Sequence, residues 1–187
     1  MTATTPRNRR PLLWMLALFT APLAFSFWLY YGSAWRPTTT TNKGELISPA
    51  VALPTVAKPS STGTGSLFSE RWSLVVATPT ACDADCQQAL IYTRQTSLSL
   101  GRLSTRLQRV LLAPDHCCDS MDFARVHPDL IRVDDAKLLL SFPAADREHM
   151  VFVVDPLGNL MMRYDIRRDP RGLREDLKHL LDLSHIG

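Results

Sequence analysis

A stretch of 25 residues without a charged side chain, from Pro11 to Trp35, constrains this chain more than any other feature. As a helix, such a stretch is long enough to cross the roughly 30 Å hydrocarbon core of a bilayer. Three arginines and no acidic residue precede it within residues 1–10. The positive-inside rule then predicts a cytoplasmic N-terminus, one transmembrane helix over residues 11–35 and an extracytoplasmic remainder.

A cleaved secretory signal peptide is the competing interpretation, because it also begins with basic residues and an apolar run. Its apolar region is normally 7–15 residues long and is followed by a small-x-small cleavage site. Here the run is longer and ends in a cluster of aromatic residues, Trp28, Tyr30, Tyr31 and Trp35. Aromatic rings favour the interfacial layer of a membrane. We therefore expect a retained anchor.

Residues 36–67 are rich in Thr, Pro, Ser and Gly and contain no aromatic residue, which is typical of a linker. The apolar segment 44–54 interrupts this composition, and the sequence leaves open whether it docks on the following domain or is part of the linker. Residues 68–187 then hold fifteen basic and seventeen acidic residues. A slightly acidic domain lacks the basic stripe of a nucleic-acid-binding protein, so we expect no nucleic-acid partner.

Residues 68–187 have the pattern of an α/β domain. Apolar runs predict buried strands, helical spacing of apolar residues predicts helices, and a Pro/Gly turn between two apolar runs predicts a hairpin. Asp169 before Pro170 is typical of the start of a final helix. The predicted elements are strands at 72–78, 109–113 and 131–133, helices at 83–100, 134–140 and from 170, and a hairpin at 150–164. This order predicts a thioredoxin-like domain behind a single N-terminal transmembrane helix.

Cys82 and Cys86 are predicted to lie where the first strand gives way to the first helix. The carboxyl ends of strands are where sites collect in open α/β folds, and a helix N-terminus favours a thiolate. Spacing of four residues places two side chains on one helical face, so two sulfurs can converge on a soft ion such as Cu(I). Metal binding, thiol–disulfide exchange and a structural disulfide all remain open for this pair.

The anchor, the Cys82-x-x-x-Cys86 pair after a strand that begins with Trp72, and the strand ending in Asp155-Pro-x-Gly158 resemble the Sco/SenC copper-insertion factors of cytochrome c oxidase. The chain is most similar to small, divergent bacterial relatives of that family. The resemblance implies a copper site, Cu(I) or Cu(II), built from two cysteines and a histidine that lies before the hairpin. It points to Cys82 and Cys86, with His149 as the third ligand.

The segment His116-Cys117-Cys118 is a second cluster of soft ligands that the resemblance does not require. It is either a second soft-metal site or a surface loop with unused thiols. The other histidines, His127, His179 and His185, carry no motif, and we expect all three to be exposed.

The resemblance therefore implies a membrane-anchored copper-binding assembly factor rather than an enzyme. Its copper would be delivered to a cytochrome c oxidase subunit, in contact with other oxidase assembly factors. Its place would be the bacterial inner (plasma) membrane, with a periplasmic domain. Two alternatives stay open. In the first, Cys82 and Cys86 are the catalytic residues of a thiol–disulfide reductase that keeps the copper-ligand cysteines of the oxidase reduced. In the second, the chain is a non-catalytic assembly scaffold.

Overall fold

The computed structural model describes residues 9–32, 41–58, 65–114, 122–143, 150–165 and 167–186. The chain divides into two compact units, Met1–Thr41 and Asn42–Gly187. The described part of the first unit is helix α1, Arg10–Gly32, of 23 residues. A helix of this length extends about 35 Å, enough to cross a bilayer. By length and composition α1 is a candidate membrane span, a test that a signal sequence near the N-terminus also passes.

The second unit is built on one mixed sheet. Among the described residues it has six strands in the order β1-β6-β5-β2-β3-β4. Strands β2, β3 and β4 are parallel, whereas β5, β6 and β1 continue the sheet on the other side of β2 as antiparallel neighbours. The strands are β1 Glu45–Ala52, β2 Trp72–Ala77, β3 Leu107–Ala113, β4 Leu130–Asp134, β5 Val151–Val154 and β6 Asn159–Tyr164.

The helices of this unit connect and cover the strands. Helix α2 links β2 to β3 through a 3-10 turn, and α5 follows β6. Between β3 and β4, and between β4 and β5, the described residues contain only single-turn helices. The bounds are α2 Ala84–Ser99, the 3-10 turn Gly101–Arg106, α3 Phe123–Val126, α4 Ala136–Leu139 and α5 Pro170–Leu183. The predicted α/β order is confirmed, with the predicted helix at 134–140 shortened to one turn.

The core lies on both faces of the sheet, because every residue of β2, β3 and β5 is buried. Strands buried on both faces read as continuous apolar runs in sequence. Helices α2 and α5 cover one face, where Leu173, Leu177 and Leu181 of α5 join the core. The other face is covered by Leu67, Phe68, Leu138 and Phe142.

The structure differs from the predicted linker boundary at residue 67. Strand β1, inside the stretch predicted as a linker, pairs with β6, and the compact unit begins at Asn42. An ion pair between Glu45 and Arg163 of β6 joins the two strands. All residues of β1 except the half-buried Ile47 are exposed, so β1 has no alternation of buried and exposed residues to mark it as a strand. The apolar segment 44–54 therefore docks on the domain.

Candidate functional site

The cysteine pair lies at the carboxyl edge of the parallel strands. After β2 ends at Ala77, the chain stays tied to both neighbouring strands. The Ala77 N–H donates to the Met150 carbonyl at 2.9 Å, and the Thr78 N–H donates to the Leu112 carbonyl at 3.0 Å. The loop that follows is thereby held over the ends of β2 and β3, and this edge is where sites form in open α/β sheets.

Helix α2 begins two residues after Cys82. Asp83 is its N-cap, and the Asp83 carboxylate accepts a hydrogen bond from the Cys86 N–H at 3.1 Å. The Gln87 N–H donates to the Asp83 carbonyl at 2.9 Å. An N-cap carboxylate satisfies one of the otherwise unpaired amides of the first turn and contributes about 1 kcal/mol. Cys86 is thus fixed in the first turn, and Cys82 lies just outside it.

Cys82 and Cys86 form a disulfide, with their Cα atoms 5.1 Å apart. Cys86 is fully buried and Cys82 is 7% exposed, and both belong to the core cluster under α2. The flanking residues Ala81 and Asp83 are exposed, so the bridge lies just below the surface. Attack by an external thiol is therefore easier at Cys82 than at Cys86, because exposure governs access to a sulfur.

The helix terminus and burial act in opposite directions on the reduced pair. The amides of the first turn and the helix dipole favour a thiolate, whereas apolar surroundings favour the neutral thiol. A salt bridge at 3.9 Å between Arg167 and Asp85, both partly exposed, adds little to this balance. Two thiolates that meet at one helix N-terminus suit a soft ion such as Cu(I). The disulfide form offers no thiolate to a metal.

The histidine predicted as third ligand, His149, lies outside the described residues, as do His116, Cys117 and Cys118 of the second predicted cluster. Within the part of the chain that the structure describes, no three His, Cys, Asp or Glu side chains come together as a metal-binding group. The residue after His149, Met150, lies beside the end of β2, where its carbonyl accepts the Ala77 N–H. Met150 is buried in the same core cluster as Cys82 and Cys86.

The hairpin that follows is fixed by Asp155. Its carboxylate accepts hydrogen bonds from the N–H groups of Leu157 at 2.9 Å and Asn159 at 2.7 Å. The Asn159 side chain donates to the same carboxylate at 2.8 Å. Gly158 has φ +85°, a conformation that favours glycine. The turn of the hairpin lies at the opposite end of the sheet from the disulfide, because β5 runs antiparallel to β2.

A buried charged cluster on β3 has no counterpart in the sequence predictions. Arg109, 1% exposed, donates to the Leu90 carbonyl at 2.7 Å and forms an ion pair with Asp129 at 3.1 Å. The only sign of this cluster in the sequence is one charged residue, Arg109, at the start of the apolar run 109–113. Although burial opposes it, the Arg109 charge lowers the pKa of Asp129. We find no direct contact between this cluster and the disulfide in the described residues.

His127 lies beside this cluster and is buried, so its predicted exposure is wrong, whereas His179 is exposed as predicted. His127 follows a short helix whose Phe123 carbonyl accepts its backbone N–H. Its Nδ1 atom is buried without a hydrogen-bond partner among the described residues. Burial, followed by the charges of Arg109 and Arg94, lowers the pKa of His127. The imidazole therefore favours its neutral form.

The fold and the site together define a class of protein. A mixed sheet in the thioredoxin order carries, at the start of its first core helix, a cysteine pair that closes as a disulfide. The predicted thioredoxin-like fold is confirmed.

Residues 72–184 match the family described as transmembrane-like, thioredoxin-like, C-terminal domain, and this match spans more than half of the chain. The chain belongs to this family. Together with α1, the match supports a single-pass membrane anchor. No match is found among curated protein sequences.

Solved structures share the fold at low identity. BsSco, described as a member of the Sco family of cytochrome c oxidase assembly proteins, has a TM-score of 0.52 and 13% identity, over 73% of this chain and 96% of that one. Copper-bound ScoI from Bradyrhizobium japonicum has a TM-score of 0.47 and 14% identity, over 73% and 98%. A thiol:disulfide interchange protein from Bacteroides has a TM-score of 0.49 and 15% identity, over 73% and 91%. The match to BsSco confirms the predicted resemblance to the Sco proteins for the fold.

Proposed function

We propose that this chain is a membrane-anchored copper-binding assembly factor that carries Cu(I) on Cys82 and Cys86 and delivers it to cytochrome c oxidase. The observation that carries the proposal is the convergence of the two sulfurs at the start of α2, close enough to form a bond. Copper is the cargo of this protein rather than a resident cofactor. Support comes from the shared fold of BsSco, which is described as having a disulfide switch and as a member of the Sco family of cytochrome c oxidase assembly proteins.

The oxidised pair must be reduced before it can take up copper. A dithiol reductant transfers two electrons and two protons to the Cys82–Cys86 bridge and is itself converted to a disulfide. The two cysteines then lose their thiol protons as Cu(I) binds, because only the thiolate is a metal ligand. Release follows by exchange of these thiolates for ligands of the acceptor protein. After release the two cysteines take up protons and stay reduced, so the pair can bind another Cu(I) without a second reduction.

His149 is the third ligand in this proposal, because it precedes Met150, whose carbonyl accepts the Ala77 N–H at the end of β2 from which the chain leads to Cys82. An imidazole suits copper in either oxidation state. The proposal places no copper on His116, Cys117 and Cys118, and the two cysteines of this segment supply the matched control in the test below. The domain faces the periplasm of a bacterial inner membrane, and anchoring raises its effective concentration near a membrane-embedded oxidase.

The test is copper retention by the full chain in detergent micelles, reduced and loaded with Cu(I) without oxygen. We expect about one tightly held copper per chain in the wild type, in line with a single two-thiolate site. The Cys82→Ser/Cys86→Ser variant should lose it, whereas the matched Cys117→Ser/Cys118→Ser variant should keep it. Undiminished copper in the first variant refutes the proposal. Loss only in the second variant moves the site to residues 116–118.

A thiol–disulfide reductase is the second candidate, favoured by the closed bridge and by the greater exposure of Cys82. Cys82 would attack the disulfide of an oxidase subunit, and Cys86 would then release the reduced subunit by closing the bridge again. A Cys86→Ser variant stops this exchange at the mixed disulfide. Trapping an oxidase subunit on Cys82, together with no copper bound by the wild type, would favour the reductase over the copper carrier.

A further inference from the structure

A cavity of about 420 Å³ opens at the amino edge of the three parallel strands. Arg71, just before β2, and Gln108, the second residue of β3, line it from the sheet, and Arg94 lines it from the later half of α2. We call it the basic cavity. The disulfide lies at the other edge of the sheet, and the six residues of β2 separate it from the cavity. At a rise of about 3.3 Å per residue, the cavity and the disulfide are roughly 20 Å apart along the strand.

The basic cavity concentrates positive charge in a domain that is otherwise slightly acidic. Four of its described lining residues are cationic, Lys58, Arg71, Arg94 and Arg109, and one, Asp129, is anionic. Residues 68–187 as a whole hold more acidic than basic residues. The positive excess at this cavity is therefore local. In a concave site, such an excess concentrates the electrostatic field and raises the local concentration of anions.

Two of the cations form no salt bridge with a residue that the structure describes, although the charge of Arg94 acts on Asp129 at longer range. Arg109 is occupied by Asp129 and by the Leu90 carbonyl. Arg71 and Arg94, in contrast, make no hydrogen bond or ion pair with any residue that the structure describes. Lys58 donates at 3.5 Å to the neutral side-chain amide of Gln108. The guanidinium groups of Arg71 and Arg94 are thus available to a ligand.

One feature of the cavity opposes anion binding. Residues of the last turn of α2 line the cavity, and the C-terminus of a helix carries about half a negative charge. The Leu100 N–H satisfies the carbonyls of Ser97 and Leu98 at this end, which reduces their effect. The positive excess of the lining side chains is several times larger than this partial charge. The balance at the cavity therefore favours an anion.

We propose that the basic cavity binds a phosphate-type oxoanion, supplied either by a free phosphate ester or by the headgroup of an anionic lipid. Arginine presents a planar fork of donors that matches the oxygens of a phosphate group. The cavity has the volume of a small-molecule site. Arg109 is 1% exposed and already held by Asp129, so the ligand contacts the accessible cations of the cavity, Arg71, Arg94 and Lys58. A small oxoanion is the ligand that fits both the shape and the charge.

The test uses the full chain in micelles of a zwitterionic detergent, titrated with inorganic phosphate and followed by isothermal titration calorimetry. We expect saturable binding that weakens at least tenfold in the Arg71→Gln/Arg94→Gln variant. A matched Arg171→Gln/Lys178→Gln variant removes the same charge from exposed positions on α5 and should bind as the wild type does. Copper retention should be equal in all three proteins, which separates this site from the thiol site.

A second titration identifies the source of the oxoanion. Mixed micelles that contain phosphatidylglycerol are compared with micelles of phosphatidylcholine only. Binding of phosphatidylglycerol without binding of inorganic phosphate, lost in the Arg71→Gln/Arg94→Gln variant, assigns the cavity to a lipid headgroup. Equal weakening in the α5 control, or no binding of either ligand, overturns the proposal and leaves an acidic protein partner as the reason for the charge. If the double variant fails to fold, Arg71→Gln alone, at an exposed position, gives the same comparison.

Discussion

The hydroxyl of Tyr164 donates a 3.0 Å hydrogen bond to the carboxylate of Asp176 and so links β6 to α5. The same carboxylate oxygen accepts the backbone N–H groups of Lys43 and Gly44, each at 2.8 Å. Asp176 is 8% exposed, so these contacts are shielded from water. One buried carboxylate therefore fastens the residues before β1 to both the sheet and the last helix. This contact sets the start of the domain at Asn42.

Replacing Asp176 with Ala should lower the free energy of unfolding by about 4–5 kcal/mol, the low end of the range for three hydrogen bonds to a charged group. The substitution leaves two backbone donors and the Tyr164 hydroxyl without an acceptor, and hydrogen bonds to a charged group contribute about 1.5–3 kcal/mol each. Urea unfolding of the full chain in micelles measures the change. Asp182→Ala, exposed on the same helix, is the control and should change stability by less than about 0.5 kcal/mol. Equal losses in both variants would contradict the assigned role.

The same contact predicts a loss of stability in alkali. Burial, together with the charge of Asp176, raises the pKa of Tyr164 well above its ordinary value. The folded state then keeps the phenol proton when the unfolded chain loses it. The stabilising effect is complete below the unfolded pKa of about 10 and falls as pH rises above it.

Unfolding of the wild type and of Tyr164→Phe at pH 8 and pH 10.5 tests this prediction. The wild type should lose more stability between the two pH values than the variant does, because Phe has no proton to release. An identical alkaline loss in the two proteins would assign it to other groups.

The lowered pKa of His127 predicts a loss of stability as pH falls into the acid range. Burial, followed by the charges of Arg109 and Arg94, lowers its pKa, so the folded state resists the proton that the unfolded chain accepts. The stabilising effect is complete above the unfolded pKa of about 6.5 and falls as pH decreases below it. Unfolding at pH 7.5 and pH 5.5 should show a smaller acid loss for His127→Gln than for the wild type. His179→Gln, at an exposed position, should retain the full loss.

The sequence predicts those parts of the fold that rest on local patterns. The apolar run that begins at Trp72 predicts β2, Asp169 before Pro170 predicts α5, and the turn at Asp155 predicts the hairpin, because each signal is complete within a few residues. The position of the cysteine pair at the start of α2 follows from the same reasoning. These features are confirmed by the structure.

The features that the sequence does not predict depend on contacts between residues that are far apart in the chain. The docking of β1 rests on Asp176, which is 132 residues from Gly44 along the chain. The burial of His127 and Arg109 likewise depends on how β3 and β4 pack under α2, and no local pattern records that packing. From the sequence alone, a charged residue in an apolar run can be either buried and paired or exposed to solvent. Only the position of Asp129 shows that Arg109 is paired rather than at the surface.

The Arg109–Asp129 pair gives a prediction that separates hydrogen bonding from charge. Arg109 is 1% exposed, whereas the side chain of Asp129 is 52% exposed. Arg109 also donates to the Leu90 carbonyl at 2.7 Å and to the Thr93 hydroxyl at 3.2 Å. Replacing Arg109 therefore leaves these buried acceptors unpaired. Replacing Asp129 removes only the partner at the solvent-exposed side, and the hydrogen bonds to Leu90 and Thr93 remain.

We expect Arg109→Met to lower the free energy of unfolding by about 3 kcal/mol and Asp129→Asn by about 1 kcal/mol. Asparagine keeps one oxygen acceptor for the guanidinium but removes the charge, so its smaller effect reports the ion pair itself. The double variant closes a thermodynamic cycle, and its coupling energy should be well below the cost of Arg109→Met alone. A coupling energy equal to that cost would mean that Asp129, rather than the carbonyl of Leu90 and the hydroxyl of Thr93, holds the arginine in the core.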